Sequence, residues 1–243
     1  PSPSLVHQGM ILGADGEKMS KSRGNVINPD EIVEEYGGDA MRLYEMFMGP
    51  LEAVKPWQTE QIAGVVRFQA RVHALAARGV SDEVPMSKET ARLMHQTVQK
   101  VTSDIESLSF NTAISAMMVF SSHLHSLPGP VPREPLEKLA LLLSPFAPHL
   151  GEEVWSMLGA SQSLAYEAWP LYDEALCVED TVKMAVTVNG KVRAQIELAK
   201  GASEEEARAL ALSEASLAKW VEGKELKKFI YVPGRIVNLV VGK

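Results

Sequence analysis

Cysteine is almost missing from this chain, because Cys177 is the only one among 243 residues. One cysteine excludes a disulfide framework and a cysteine-based zinc site, and it fits a reducing compartment. Long apolar runs are missing too, since the most apolar stretch, 139–150, is interrupted by Pro145 and Pro148. A membrane-spanning helix needs about 20 apolar residues, so we predict no membrane span. The 46% of hydrophobic residues supplies enough apolar material for about two globular domains.

Basic residues are few, and the net charge of −7 argues at first against an RNA partner. The charge is uneven: residues 1–177 hold 13 Lys/Arg against 22 Asp/Glu, whereas residues 178–243 hold 11 against 9. The tail has basic residues and no acidic ones from Lys227 onward. A basic surface of this kind attracts phosphate backbones. A solvated face explains the same charges equally well.

The most informative segment is the pentapeptide Lys-Met-Ser-Lys-Ser at 18–22. Before it, the short apolar run 10–12 and the turn residues 13–16 predict a strand followed by a tight turn. After it, residues 28–31 carry the signals of a helix start. The pentapeptide is therefore predicted to lie on an exposed loop between a strand and a helix. We call residues 18–25 the lysine loop.

The residue types of the lysine loop suit a polyphosphate ligand. Lys18 and Lys21 can act as compact cations on phosphate groups, and Ser20 and Ser22 can donate hydroxyl hydrogen bonds. Gly24 can adopt a backbone angle that other residues resist. A solvated basic loop is the ordinary alternative for lysines and serines in such a run.

Apolar residues at helical spacing predict that most of the chain up to residue 168 is helical. Asp39 is predicted to cap the second helix and Ser87 the fourth. The connections are short, which is typical of an antiparallel bundle. The predicted helices are 29–36, 40–48, 59–78, one that starts at Ser87 and continues to about 108, 112–127, 135–144 and 148–158.

After an acidic connector at 169–180, the apolar pattern changes from a helical period to alternation, which predicts strands. We predict a hairpin with a three-residue loop, 188–190, and a bulge at Gly190. This register places Lys183, Lys191 and Arg193 together on one polar face.

Further signals predict a small α+β domain at the end of the chain. Ser203 and Glu206 form a capping box for one helix, and a second helix is predicted at 213–222. Two more strands flank Pro233-Gly234. One sheet layered with two helices satisfies these elements.

The lysine loop, continued by Gly24-Asn25, resembles the second signature of class I aminoacyl-tRNA synthetases. Several other strings are similar to leucyl-tRNA synthetases of the bacterial and organellar kind. These strings are 42–44, 47–51, 55–57, 110–116, 188–193 and 232–235.

The resemblance implies a mostly α chain with a small α+β domain. Residues 1–57 would be the end of the class I nucleotide-binding domain, with the lysine loop. Residues 58–168 would be an antiparallel helical bundle of the anticodon-binding type. Residues 169–180 would be a linker, and residues 181–243 a small α+β domain that binds tRNA.

The resemblance also implies an activity, the ATP-dependent ligation of leucine to tRNA(Leu) through leucyl-adenylate. ATP with Mg2+ would be a substrate that this chain alone does not hold tightly. Lys21 would stabilise the departing pyrophosphate, with Lys18 and Ser20 assisting. Met19 and Ser22 would join Lys21 in binding ATP, with Met19 next to the adenosine.

The partners implied by the resemblance are tRNA(Leu) and an N-terminal synthetase portion, on the same chain or on a separate one. The first class I signature, His-x-Gly-His, is absent, so we expect no activity from this chain alone. The competing hypothesis is a non-catalytic RNA-binding or scaffold protein derived from a synthetase. We expect a cytoplasmic location, with an organelle matrix or stroma open, and no metal site. The candidate phosphate contacts in the tail are Lys191, Arg193, Lys227 and Lys228.

Overall fold

The computed structural model describes residues 5–178 and 181–242 and divides into two units, 1–177 and 178–243. About half of the chain is helical, and a small sheet lies in the second unit. This outline agrees with the predicted fold class. In the described part of the chain, no helix is both long and apolar enough to cross a bilayer.

The first unit is mainly helical, with short strand pairs between its helices. Its elements are β1 (Ile11–Leu12), α1 (Pro29–Tyr36), α2 (Gly38–Phe47), β2 (Lys55–Pro56), α3 (Ile62–Ala77), β3 (Val80–Ser81), α4 (Lys88–Glu106), α5 (Phe110–Ser126), β4 (Val131–Pro132), α6 (Arg133–Leu143) and α7 (Pro148–Met157).

Two helix starts follow the predicted capping chemistry. The Asn28 side chain accepts the Asp30 N–H at 3.2 Å, with Pro29 at the first helical position of α1. Ser87 Oγ accepts the Thr90 N–H at 3.1 Å at the start of α4. Both predictions are confirmed, because a side-chain acceptor at the cap satisfies an N–H that has no partner within the helix.

The predicted cap of α2 is wrong. Gly37 occupies the cap position, and Asp39 lies inside the helix with only 7% of its surface exposed. The Asp39 carboxylate instead accepts the Leu150 N–H at 2.8 Å and lies 2.8 Å from His149 Nδ1. Its partner is the first turn of α7, whose own cap residue, Ala147, has no side-chain acceptor. Sequence spacing could not predict this contact, because 110 residues separate Asp39 from His149.

The core of the first unit is continuous and centres on α5, which packs against α2, α3, α4 and α6. Helix α7 closes the other side by packing on α3 and α6. The largest fully buried side chains come from helices α2 to α6 and from the turn that follows α6. They include Tyr44, Phe68, Met94, Phe120, Leu136 and Phe146.

The strand pair β1–β2 places the lysine loop. Ile11 pairs with Lys55 and Leu12 with Pro56, in parallel orientation. The chain leaves β1, turns at residues 13–16, forms the lysine loop and enters α1. The loop is therefore held between a strand end and a helix start, as predicted.

The second unit contains a four-stranded sheet and two short helices. The sheet order is β6-β5-β8-β7, with β5 and β8 parallel and the other pairs antiparallel. Its core consists of residues such as Met184, Val186, Ile196, Val237 and Leu239. The elements are β5 (Thr181–Val188), β6 (Lys191–Ala199), α8 (Glu204–Ser213), α9 (Ala218–Val221), β7 (Leu226–Val232) and β8 (Ile236–Val241).

The helices of this unit agree only in part with prediction. The capping box of α8 is confirmed, since Ser203 and Glu206 each accept the other's backbone N–H, at 3.2 and 2.8 Å. The predicted helix 213–222 is shorter. A 3-10 turn at Ala215–Leu217 leads into α9, which has one turn.

The predicted hairpin register is wrong. Val188 pairs with Lys191, so the loop contains only Asn189 and Gly190. Both have positive φ, 50° and 78°, and a two-residue turn of this kind matches the twist of the strands. The bulge falls farther along, where Thr187 pairs with Val192 and Val186 with Ala194, which leaves Arg193 as the extra residue.

This register separates the predicted polar face. Lys183 lies opposite Glu197, whereas Lys191 lies opposite Val188. Side chains alternate between the faces of a strand, so Lys183 and Lys191 belong to opposite faces. Arg193 is displaced from both by the bulge.

Candidate functional site

The lysine loop is held at its base by Asn25. Asn25 Nδ2 lies 3.1 Å from each carboxylate oxygen of Asp15 and 3.4 Å from the Lys18 carbonyl oxygen. On its other side, Asn25 Oδ1 accepts the Ser20 N–H at 2.9 Å. One amide therefore connects the turn after β1 to two positions of the pentapeptide.

The Asp15 carboxylate is arranged to stay ionised. The hydrogen bond from Asn25 lowers the pKa of Asp15 below its ordinary value, and the bond from the Glu17 N–H, 3.1 Å long, adds to this shift. A carboxylate that accepts hydrogen bonds is stabilised in its charged form. Asp15 is thus a persistent acceptor for the Asn25 amide.

Both lysines of the pentapeptide are exposed. Neither the Lys18 nor the Lys21 ammonium forms an ion pair with any residue in 5–178. The neighbouring Arg23, by contrast, pairs with Glu17 at 3.1 Å. Ser20 and Ser22 share a hydroxyl–hydroxyl hydrogen bond of 3.2 Å. The two cations are therefore accessible to an anionic ligand.

Met19 faces the interior of the first unit rather than the solvent. It is partly buried, packs against the core, and lines a small cavity of about 170 Å³ with Ile11, Ile27, Met41 and Trp57. An apolar residue between two exposed lysines anchors the middle of the loop by burial of its side chain. Its predicted place beside an adenosine stays a prediction.

A larger cavity of about 570 Å³ lies beside β1, with Gly9, Met10, Glu45, Lys55 and Phe110 in its wall. Lys55 Nζ donates to the Gly49 carbonyl oxygen at 3.1 Å across this wall. The segment before β1 exposes several apolar side chains. They are Leu5, Val6 and Met10, of which 78%, 49% and 48% of the surface is accessible.

In the second unit, Arg193 stacks on an aromatic ring. Its guanidinium carbon lies 3.6 Å from the centre of the Trp220 ring, and Lys219 Nζ lies 5.6 Å from it. Arg193 Nε is buried and has no hydrogen-bond partner among the described residues. A groove of about 580 Å³ lies beside this stack, and its lining includes Val192, Arg193, Ser216, Lys219, Trp220 and Glu222. We call it the Arg193 groove.

The four predicted tail cations fall into two groups. Lys191 and Arg193 belong to β6, and Lys227 and Lys228 belong to β7, the strand at the opposite edge of the sheet. Lys191, Lys227 and Lys228 are exposed, whereas Arg193 is half-buried by its stacking. The sequence analysis missed Lys219 and Trp220, although a lysine next to a tryptophan in a basic tail is a usable signal.

Comparisons with known proteins fit this geometry. A family model described as tRNA synthetases class I (I, L, M and V) matches residues 1–55, which include the lysine loop. A second model, the anticodon-binding domain of tRNA ligase, matches residues 88–208. A leucine–tRNA ligase of Sorangium cellulosum (strain So ce56) is 63% identical over 242 residues, which is 100% of this chain. The chain belongs to the leucyl-tRNA synthetase family. It spans 28% of the length of that relative.

Solved structures support the same assignment. The LeuRS of Agrobacterium radiobacter K84, solved as a ternary complex with tRNA and LeuAMS, matches with a TM-score of 0.70 and 32% identity. The match covers 98% of this chain and 33% of that one. Methionyl-tRNA synthetase of Mycobacterium tuberculosis, solved with methionyl-adenylate, has a TM-score of 0.50 and 19% identity over 65% of this chain and 39% of that one. At this identity the second match shows a shared class I fold alone.

Proposed function

We propose that this chain is the C-terminal portion of a leucyl-tRNA synthetase, which ligates leucine to tRNA(Leu) with ATP through leucyl-adenylate. The observation that carries the proposal is the lysine loop. Its two ammonium groups are exposed and free of ion pairs within residues 5–178, while Asn25 and Met19 anchor its backbone. The proposal has family support from the 63% identity to a leucine–tRNA ligase.

In the proposed reaction, Lys21 stabilises the charge that develops on the departing pyrophosphate. Lys18 and the Ser20 hydroxyl assist it, and Ser22, 3.2 Å from Ser20, holds that hydroxyl in place. A well-aimed donor of this kind contributes on the order of 3 kcal/mol to transition-state stabilisation in a water-excluded site. Met19 is only partly buried against the core of the first unit, and the part of it that stays accessible would contact the nucleoside.

ATP enters this proposal as the magnesium complex. The described residues offer no cluster of three or more side chains with metal-binding groups. We therefore propose that Mg2+ arrives bound to the phosphates and that this chain alone holds neither tightly. Lys18 and Lys21 would contact the phosphate oxygens that the metal leaves open.

An N-terminal synthetase portion is the proposed partner that completes the site, and without it we expect no adenylate formation. A partly apolar surface lies at the edge of β1. It consists of the exposed side chains of Leu5, Val6 and Met10 and the cavity next to them. Exposed apolar side chains that cluster together are typical of a site that another protein surface covers. Coverage by the N-terminal portion would also exclude water from the lysines.

The rest of the chain is proposed to bind tRNA(Leu). Residues 58–168 would act as the antiparallel bundle of the anticodon-binding type and 181–243 as the tRNA-binding domain, joined by 169–180. Lys191 and Arg193 would contact phosphates at one edge of the small sheet, and Lys227 and Lys228 at the other. Phosphate contacts position an RNA without specifying its bases. We propose a cytoplasmic location for this activity, with an organelle matrix or stroma as the alternative.

Leucine-dependent exchange of pyrophosphate into ATP tests the proposal. The chain is mixed with the N-terminal portion of the same protein, and leucine is compared with isoleucine and valine. We expect exchange with leucine only, and none from either portion alone. Binding of tRNA(Leu) without any exchange from the mixture would contradict the ligase and favour the non-catalytic RNA-binding protein.

A further inference from the structure

Asn25 connects three parts of the loop and its base through one side-chain amide. Its Nδ2 donates toward the Asp15 carboxylate and the Lys18 carbonyl, and its Oδ1 accepts the Ser20 N–H. A carboxamide is both donor and acceptor, whereas a carboxylate only accepts. Glutamine has the same amide but is one methylene longer. Every partner atom already lies within 3.4 Å of the Asn25 amide, so the longer side chain would displace these contacts.

The backbone around Asn25 is shaped for these contacts. A Cβ atom at Gly13 would lie 2.7 Å from Asp15 Oδ1 and 2.8 Å from Asn25 Nδ2, so only glycine leaves room for the pair. Gly24 has φ +68°, a left-handed conformation, and it reverses the chain directly before Asn25. Two glycines thus bring residues 15 and 25 together.

We propose that Asn25, held by Asp15, is a positioning residue that fixes where the lysine loop carries Lys18 and Lys21. The proposal rests on the function given above. Asn25 bonds the backbone at Lys18 and at Ser20, the residues on either side of Met19 and directly before Lys21. Misplacement of a catalytic cation by about 1 Å costs up to a hundredfold in rate. Loss of the amide is therefore expected to lower turnover and to leave the affinity for leucine unchanged.

The first test measures leucine-dependent exchange in the complete protein. Asn25→Ala and Asp15→Ala are each expected to lower kcat by roughly tenfold to a hundredfold, with KM for leucine unchanged. Glu17→Gln is the matched control, because it breaks the exposed Arg23–Glu17 pair of the same loop and is expected to leave kcat alone. Asn25→Asp is expected to be as impaired as Asn25→Ala. In the double variant Asp15→Asn with Asn25→Asp, the amide at position 15 can donate to the carboxylate at position 25. This variant should recover part of kcat.

The second test does not need activity. Hydrogen exchange of the Ser20 amide in this chain should be slow in the wild type and faster in Asn25→Ala, with exchange in α4 and α5 unchanged. Equal Ser20 exchange in both, or a wild-type kcat in Asn25→Ala, would overturn the inference. A complete wild-type protein that shows no leucine-dependent exchange would instead overturn the proposed function. If Asn25→Ala does not fold, Asp15→Ala is measured instead: it removes the acceptor that holds the Asn25 amide, so it should also lower kcat and speed up Ser20 exchange.

Discussion

Asp39 shows how one buried carboxylate can serve two helices. It lies in the first turn of α2, yet its oxygens accept the Leu150 N–H and contact His149 at the start of α7. A helix start leaves N–H groups without partners, and an acidic side chain there also interacts favourably with the helix dipole. The contact therefore stabilises the packing of α7 as well as its first turn.

Removal of this carboxylate should destabilise the first unit. Asp39→Ala is expected to lower the free energy of unfolding by about 1 to 2 kcal/mol, because a cap is lost and the part-buried Leu150 N–H is left without a partner. His149→Ala should cost less, since the His149 side chain is 83% exposed. Urea unfolding followed by circular dichroism measures both. Glu83→Ala, in an exposed loop, is the control, and an Asp39→Ala curve that overlays it would show that the carboxylate does not cap α7.

The lysine loop shows which single residues a sequence can assign. The exposed position of Lys18 and Lys21 could be predicted, because strand and helix signals flank their loop, whereas the phosphate contacts of Lys18, Ser20 and Lys21 stay a prediction. The role of Asn25 could not, because it depends on a contact with Asp15 ten residues away. Asp39 was misassigned for the same reason: helix-capping rules are local, and its partner is not.

Helix α4 is joined to the segment before the second unit by a histidine. The Asp173 N–H donates to His95 Nδ1 at 3.1 Å, so this nitrogen must be unprotonated. Burial lowers the pKa of His95, and the Lys138 charge adds to the shift, while Glu134 and Asp173 oppose it. The folded chain therefore favours the neutral ring.

Stability should depend on pH through His95. In the window below the ordinary histidine pKa of about 6.5, the unfolded chain binds more protons at this site than the folded chain. The contribution of His95 is thus complete above that pH and is lost as the pH falls toward the lowered folded value. His95→Gln keeps an acceptor that does not titrate. Calorimetry from pH 8 to pH 5 should show a steeper fall of the unfolding temperature in the wild type than in His95→Gln, and parallel curves would refute this.

The β5–β6 hairpin shows why strand elements are harder to predict than helices. Its strands and the Asn189-Gly190 turn were visible in the sequence, but alternation of apolar residues favoured a three-residue loop. The two-residue turn forms instead, and the bulge lies at Arg193. Arg193 has no partner on β5 and stacks on Trp220. The parallel pairing of β5 with β8 had no local signal, since two helices and two strands separate Val186 from Val237 along the chain.

The Arg193 groove makes a distinct prediction for tRNA binding. Replacing Lys191 and Arg193 by Ala should weaken the binding of tRNA(Leu). It should also make the plot of log binding constant against log salt concentration less steep, by roughly 0.7 to 0.9 for each lost phosphate contact. Trp220→Leu should weaken binding with little change in slope, because the charge remains while its orientation is lost. Filter binding at several salt concentrations measures this. Lys200→Ala, an exposed lysine of the same unit, is the control, and equal slopes for all variants would place the contacts elsewhere.

The two units of the chain carry different parts of the proposed function, each around its own core. The first unit holds the lysine loop on a large helical core, and the second presents basic residues at two edges of a small sheet. The fold class was predictable from periodicity because helices dominate, with local signals of spacing and caps. The β5–β8 pairing and the contacts of Asp39 and Asn25 were not, because each joins residues that are not neighbours in the sequence.

The exchange rate of Lys21→Ala in the complete protein decides whether this chain supplies the cation that meets the departing pyrophosphate. Leucine-dependent exchange should fall roughly a hundredfold or more, with the unfolding temperature unchanged because Lys21 is exposed. Lys88→Ala removes an exposed lysine from the start of α4 and serves as the control. Its rate of leucine-dependent exchange should equal that of the wild type. An exchange rate for Lys21→Ala equal to that of Lys88→Ala would show that the lysine loop takes no part in the chemistry.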